Sequence, residues 1–218
     1  MVTCRAETDA LTPMGKHHLL AIKLVLTALA FPGYGAEILP ISEFESRYRH
    51  NWQPVYFYGS SHYQLVSSSI GKVVEARAQA SASGMLRRIK VDLNRTPFLH
   101  WRWKVTRLPD NHQERQRQGD DFAARIYVIK SGGWFAWRSE ALNYVWTSQE
   151  KPGAWWPNPF AARSIMVSVQ TGDRNLGQWI EQKRNVKTDF KNFLGKNYTH
   201  IDAVAACAGC RRWRCRRR

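Results

Sequence analysis

Apolar residues recur at every second position in short runs, and each run stops at a cluster of turn-forming residues. The runs VYFYG, SHYQLV, KVVEARAQAS, LRRIKVDL, LHWRWKV, ARIYVIK, LNYVWTS and SIMVSVQTG all carry this period. A two-residue period puts alternate side chains on opposite faces of an extended strand, so one face can be buried while the other meets water. Breaks at Gly59–Ser61, Ser67–Gly71, Leu108–Asp110 and Lys151–Pro159 punctuate the runs. That spacing predicts an all-β fold, an antiparallel β-sandwich of jelly-roll type, and not a βαβ repeat. One short C-terminal helix is predicted after Asn185, whose side chain can cap it. Val186, Phe190, Phe193 and Leu194 then share a face, and Gly195 ends it. The segments ARSIMVSVQTG and HIDAVAA flank this helix as predicted interior strands.

The chain has 218 residues, 44% hydrophobic and 12% aromatic, enough for one well-buried domain. Its formal net charge is +16, but six of the 33 basic residues fall between Arg211 and Arg218. Residues 37–210 hold 24 basic and 15 acidic residues, a net of +9. These cations are scattered and do not interleave with aromatic rings as a stacking platform, so nucleic acid is not the expected partner. Near the amino end, Lys16, His17 and His18 precede the apolar run Leu19–Phe31, and small residues lie just before Glu37. This reads as a secretory signal with cleavage after Gly35 or Ala36 and Met14 as a natural start. The run falls short of the roughly 20 apolar residues a bilayer span needs, so no membrane anchor is expected after cleavage. Residues 1–36 are therefore read as an N-terminal extension and signal peptide, and 37–206 as the β-sandwich domain.

Residues 37–206 contain no cysteine, so no disulfide framework is encoded. Cys207, Cys210 and Cys215 lie among the terminal arginines without histidine or acidic partners, which makes a zinc site a poor reading. Arginine codons of the C-G-N type, read one base later, encode Gly, Asp, Ala or Val. Residues 207–218 thus read as a basic tail produced by a shifted reading frame.

The candidate site residues come from two places. Alternation across Asp121–Ile129 puts Phe122, Ala124, Ile126 and Val128 on a core face and Asp121, Arg125 and Tyr127 on the other, where they can line a polar groove. Tyr144 and Trp146 on the next strand extend the candidate set. Ten tryptophans are the second signal, because indole faces stack on sugar rings. Trp101 and Trp103 are expected in the core. Trp155 and Trp156, in the proline-rich loop KPGAWWPNP, are expected at the surface. Asp120 beside Asp121 offers oxygens to calcium, but two carboxylates without spaced ligands do not make a calcium set, and no cofactor or metal is expected. No nucleophile elbow, zinc-helix motif or phosphate loop is present, and no catalytic residue is assigned.

The segments ASASGMLRRIKVDL, PFLHWRWKV, GDDFAARIYVIK, ALNYVWTS and QWIEQKRNVKTDFKNFLG, in this order, resemble the bacterial envelope family DUF3047, a domain of unknown function, over Ile38–Val204. The resemblance implies a β-rich fold and a periplasmic or secreted compartment, but no reaction and no catalytic residues. The expected function is binding of carbohydrate or an anionic envelope polymer through Asp121, Arg125, Tyr127, Tyr144, Trp146, Trp155 and Trp156. A polysaccharide hydrolase or lyase using Asp121 and Glu181 is the alternative. A structural envelope protein without a small ligand is the third reading.

Overall fold

Alternating sequence becomes strand almost run for run. The computed structural model describes residues 2–5, 37–42, 51–110, 113–134 and 138–210, with the backbone alone for 2–5 and for Cys210. The signal-like run and the tail from Arg211 lie outside the described residues. In chain order the strands are β1 (Val2–Arg5), β2 (Ile38–Pro40), β3 (Gln53–Tyr58), β4 (His62–Ser68), β5 (Gly71–Arg77), β6 (Ser81–Asp92) and β7 (Phe98–Trp103). They continue with β8 (Arg125–Lys130), β9 (Glu140–Thr147), β10 (Trp155–Asn158), β11 (Ala161–Thr171), β12 (Ile180–Asn185) and β13 (His200–Cys210). One helix, α1 (Val186–Leu194), separates the last two. Among the described residues the chain is therefore all-β, with a short C-terminal helix.

The strands form a seven-stranded sheet, β10-β11-β9-β8-β13-β6-β3, a four-stranded sheet, β12-β7-β1-β2, and the separate hairpin β4-β5. Every pairing is antiparallel except β9 with β11, which run parallel. This pair makes the large sheet mixed, an arrangement the all-antiparallel jelly-roll expectation did not include. The chain reaches it by folding β10 back on β11 as an antiparallel edge before β11 docks beside β9. Pro157 fits there because an edge strand leaves a free side, where its missing N–H costs no ladder bond. As expected, β11 and β13 are interior strands. The strand β13 pairs with β6 and continues through Cys210, so the divide expected after residue 206 falls inside a strand. Gly84 permits this pairing, since a Cβ there would sit 2.9 Å from the Ala206 carbonyl oxygen.

The core fills the space bounded by the two sheets and α1. Trp101, Trp146, Tyr144, Phe190, Leu99 and Leu142 are among its largest fully buried side chains, and burial of side chains this size stabilises by roughly 1.5–3 kcal/mol each. Trp101 and Trp103 both point inward, as expected, and meet edge to face at 5.5 Å. Trp101 also stacks on Tyr144 at 5.4 Å, and Trp103 packs against Trp146 at 5.8 Å. The helix contributes Val186 and Phe190. Asn185 accepts a hydrogen bond from the Thr188 N–H at 3.0 Å, and Gly195 closes the helix at φ 66°, as its sequence predicts. A smaller cluster of Phe122, Val145, Trp156 and Met166 is separate from this main core. Phe122 therefore does not share a face with Ile126 and Val128. The strand begins only at Arg125, and alternation does not extend back through the loop before it.

Candidate functional site

The sequence-predicted polar groove is a closed ion pair. Arg125 Nη2 donates to Asp120 Oδ1 at 2.7 Å, and Nη1 donates to the Tyr127 hydroxyl at 3.0 Å. Asp120, not Asp121, is thus the carboxylate on Arg125. The guanidinium lies over the Phe122 and Tyr127 rings at 4.9 and 5.4 Å, and Phe57 stacks on Tyr127 from β3 at 6.0 Å. A cavity of about 20 Å³ remains beside Asp121 and Cys207, room for about one water and no larger ligand. Burial pushes the Tyr127 hydroxyl up to about 12 against the pull of Arg125. Burial works to lower the Arg125 pKa, but Tyr127 and Asp120 outweigh it and hold the guanidinium above its ordinary value.

Tyr144 and Trp146 are fully buried, so neither ring meets the sheet surface that sequence assigns them. The Tyr144 hydroxyl donates to Asp189 Oδ2 at 2.7 Å, while Arg184 grips both Asp189 oxygens at 2.9 and 2.6 Å. Burial first, then Asp189, raises Tyr144 well above the usual tyrosine range. This group ties α1 to β9 and β12. Trp146 donates its indole N–H to the Gly172 carbonyl at 3.0 Å. Trp155 and Trp156 belong to β10, not to a loop, and alternation splits them. Trp155 is 49% exposed and packs on Phe193 at 5.6 Å, whereas Trp156 is 3% exposed. The surface position expected of Trp156 is thus replaced by burial against Phe122 and Met166.

The two carboxylates of the hydrolase alternative are not brought together. Asp121 is buried ahead of β8 in the large sheet, while Glu181 lies exposed on β12 of the other sheet and pairs with Arg102 at 2.8 Å. Glu140 is engaged by Arg163 at 3.1 Å and by the Tyr198 hydroxyl at 2.7 Å. Lys130 bridges Asp202 at 2.8 Å and His200 at 2.6 Å. Among the described residues, no group of three His, Cys, Asp or Glu side chains comes together to hold a metal ion.

A much larger concavity lies elsewhere. Among the described residues, strands β4 and β5 pair only with each other, and a cleft of about 1620 Å³ separates this hairpin from β7 and the segment after it. On the hairpin side it presents Tyr63, Gln64, Glu75, Arg77 and Gln79. On the opposite side stand Trp103, Lys104, Arg107 and Trp179, with Lys104 Nζ held 5.6 Å over the Trp179 ring. Tyr63 tethers the hairpin: its hydroxyl donates to the Ser83 carbonyl and accepts the Ala208 N–H at 3.2 Å. Burial pushes this hydroxyl up to about 12 as well. Sequence reasoning missed Lys104, Arg107 and Trp179. The available signal was the basic residues directly after the tryptophan pair in WRWKVTR, which looks like ordinary strand-end polarity until the hairpin faces it.

No helix among the described residues is long and apolar enough to cross a membrane. No curated protein matches the chain. The family model described as "Protein of unknown function (DUF3047)" matches residues 50–209, nearly three-quarters of the sequence and the whole span from β3 almost to the end of β13. The chain therefore belongs to the DUF3047 family.

Proposed function

We propose that this is a secreted or periplasmic binding protein whose cleft between the β4-β5 hairpin and β7 holds a stretch of glycan or similar envelope polymer. The cleft is the observation that carries the reading. Its volume of about 1620 Å³ exceeds the ~300–1,000 Å³ of pockets that enclose a small molecule, and it suits a length of chain. Half-buried Trp179 and Tyr63 offer ring faces for stacking on pyranose rings. Gln64, Gln79, Ser67 and Ser68 supply amides and hydroxyls for sugar hydroxyl groups. The signal-like segment at Leu19–Phe31 supports the compartment. The structural-protein reading draws on the closed ion pair of Arg125 and Asp120, and the cleft counts against it.

A glycan array followed by calorimetric titration tests the proposal. We expect at least one saccharide polymer to bind, and Trp179→Ala to weaken it about tenfold through lost stacking. Absence of binding across the array, or binding indifferent to Trp179, would sink it.

A further inference from the structure

We infer that the ligand of this cleft is anionic, a sugar- or polyol-based polymer whose carboxylate or phosphate groups lie against Lys104 and Arg107. The inference rests on the cleft reading above and names the ligand's chemistry.

Among the described residues, five basic side chains and one acidic side chain line the cleft. Three of the five are already engaged by carboxylates: Arg77 by Glu75 at 3.1 Å, Arg102 by Glu181 at 2.8 Å and Arg125 by Asp120 at 2.7 Å. Lys104 and Arg107 are exposed, stand three residues apart on the segment leaving β7, and have no acidic partner among the described residues. Lys104 is not loosely placed, because its ammonium sits over the Trp179 ring. A sugar stacked beside that indole would bring its ring substituents alongside a fixed cation.

The supply of acceptors points the same way. Neutral sugar hydroxyls donate as well as accept, and a site for them needs acceptors. Here Glu75, the one lining carboxylate among the described residues, is occupied by Gln64 at 2.5 Å and by Arg77. Among the described residues the charged groups lining the cleft are therefore mainly donors, which suits a ligand that carries anionic oxygens.

The test uses the full chain with three polymers: polygalacturonate, its fully methyl-esterified form, and poly(glycerol phosphate). Esterification removes charge while keeping the saccharide backbone. We expect polygalacturonate or poly(glycerol phosphate) to bind at least about tenfold more tightly than the ester. The combined Lys104→Ala and Arg107→Ala variant should remove that preference, and Lys191→Ala, an exposed charge on α1, should leave it intact. Binding of the phosphate polymer alone supports the inference and identifies phosphate as the anion. Equal affinity for acid and ester, or a preference that survives the double variant, overturns the inference and leaves the cleft reading standing if Trp179→Ala still weakens binding. If only neutral glycans bind, the charge inference again fails alone. If no polymer of any kind binds, both fall together.

Discussion

Arg125 remains protonated at any pH at which the protein is folded, so its burial at 8% exposure makes its partners obligatory. Asp120 supplies the countercharge and Tyr127 a hydroxyl, while Phe122 and Tyr127 present ring faces to the cation. Removing the cation would leave the Asp120 carboxylate buried without its charge partner, a loss of about 3–5 kcal/mol. We therefore expect Arg125→Met to lower the urea midpoint by a corresponding amount, and a loss below about 1 kcal/mol would show that the pair is only a surface ornament. The sequence marked Arg125 and Tyr127 as neighbours, because a two-residue spacing on a strand places them on one face. It placed Asp121 beside them, whereas the carboxylate that meets Arg125 is that of Asp120. Both precede the strand, and the path of the loop through the turn at Arg117–Gly119 decides which carboxylate reaches the guanidinium.

At the scale of elements, the helix was fully legible because its signals are local: a capping side chain, an apolar stripe and a glycine at the end. Asn185 accepts from Thr188, and Gly195 donates to the Lys191 carbonyl at 3.1 Å. Asn185→Ala should cost about 1 kcal/mol by leaving a first-turn N–H unsatisfied, measured as a shift in the denaturation midpoint with the slope unchanged. A neutral outcome would mean that Arg184, gripping Asp189 in the first turn, already fixes the helix start. Strand identity was legible for the same reason, since alternation is written in the run itself. Strand pairing was not. The parallel docking of β11 on β9 depends on β10 turning back at the edge, and nothing in SIMVSVQTG distinguishes a parallel neighbour from an antiparallel one. The burial of Trp156 follows from that turn as well. In a free loop both tryptophans would be exposed, whereas in a strand they must face opposite ways.

For the molecule as a whole, the β4-β5 hairpin is the part whose position is least determined by the main core and most important to the candidate site. Its backbone ladder is internal, and no strand of either sheet pairs with it. Its attachment runs through Tyr63, which bonds to the Ser83 carbonyl and the Ala208 N–H, and through the Ser61 N–H, which donates to the Ser83 hydroxyl at 2.9 Å. The cleft is consequently a product of tertiary placement, formed where a hairpin stands off from a sheet, and no local pattern in the sequence announces it. If those tethers set the hairpin's position, deleting one hydroxyl should free the hairpin without melting the sheets. We expect Tyr63→Phe to cost only about 1 kcal/mol in global stability. Hydrogen exchange should nevertheless quicken selectively in β4 and β5, as expected for a unit that opens on its own, while β8, β9 and β13 keep their protection. Uniform acceleration across all strands would instead mean that the hairpin and the sheets unfold as one, and that the cleft is held by the cooperative stability of the entire fold.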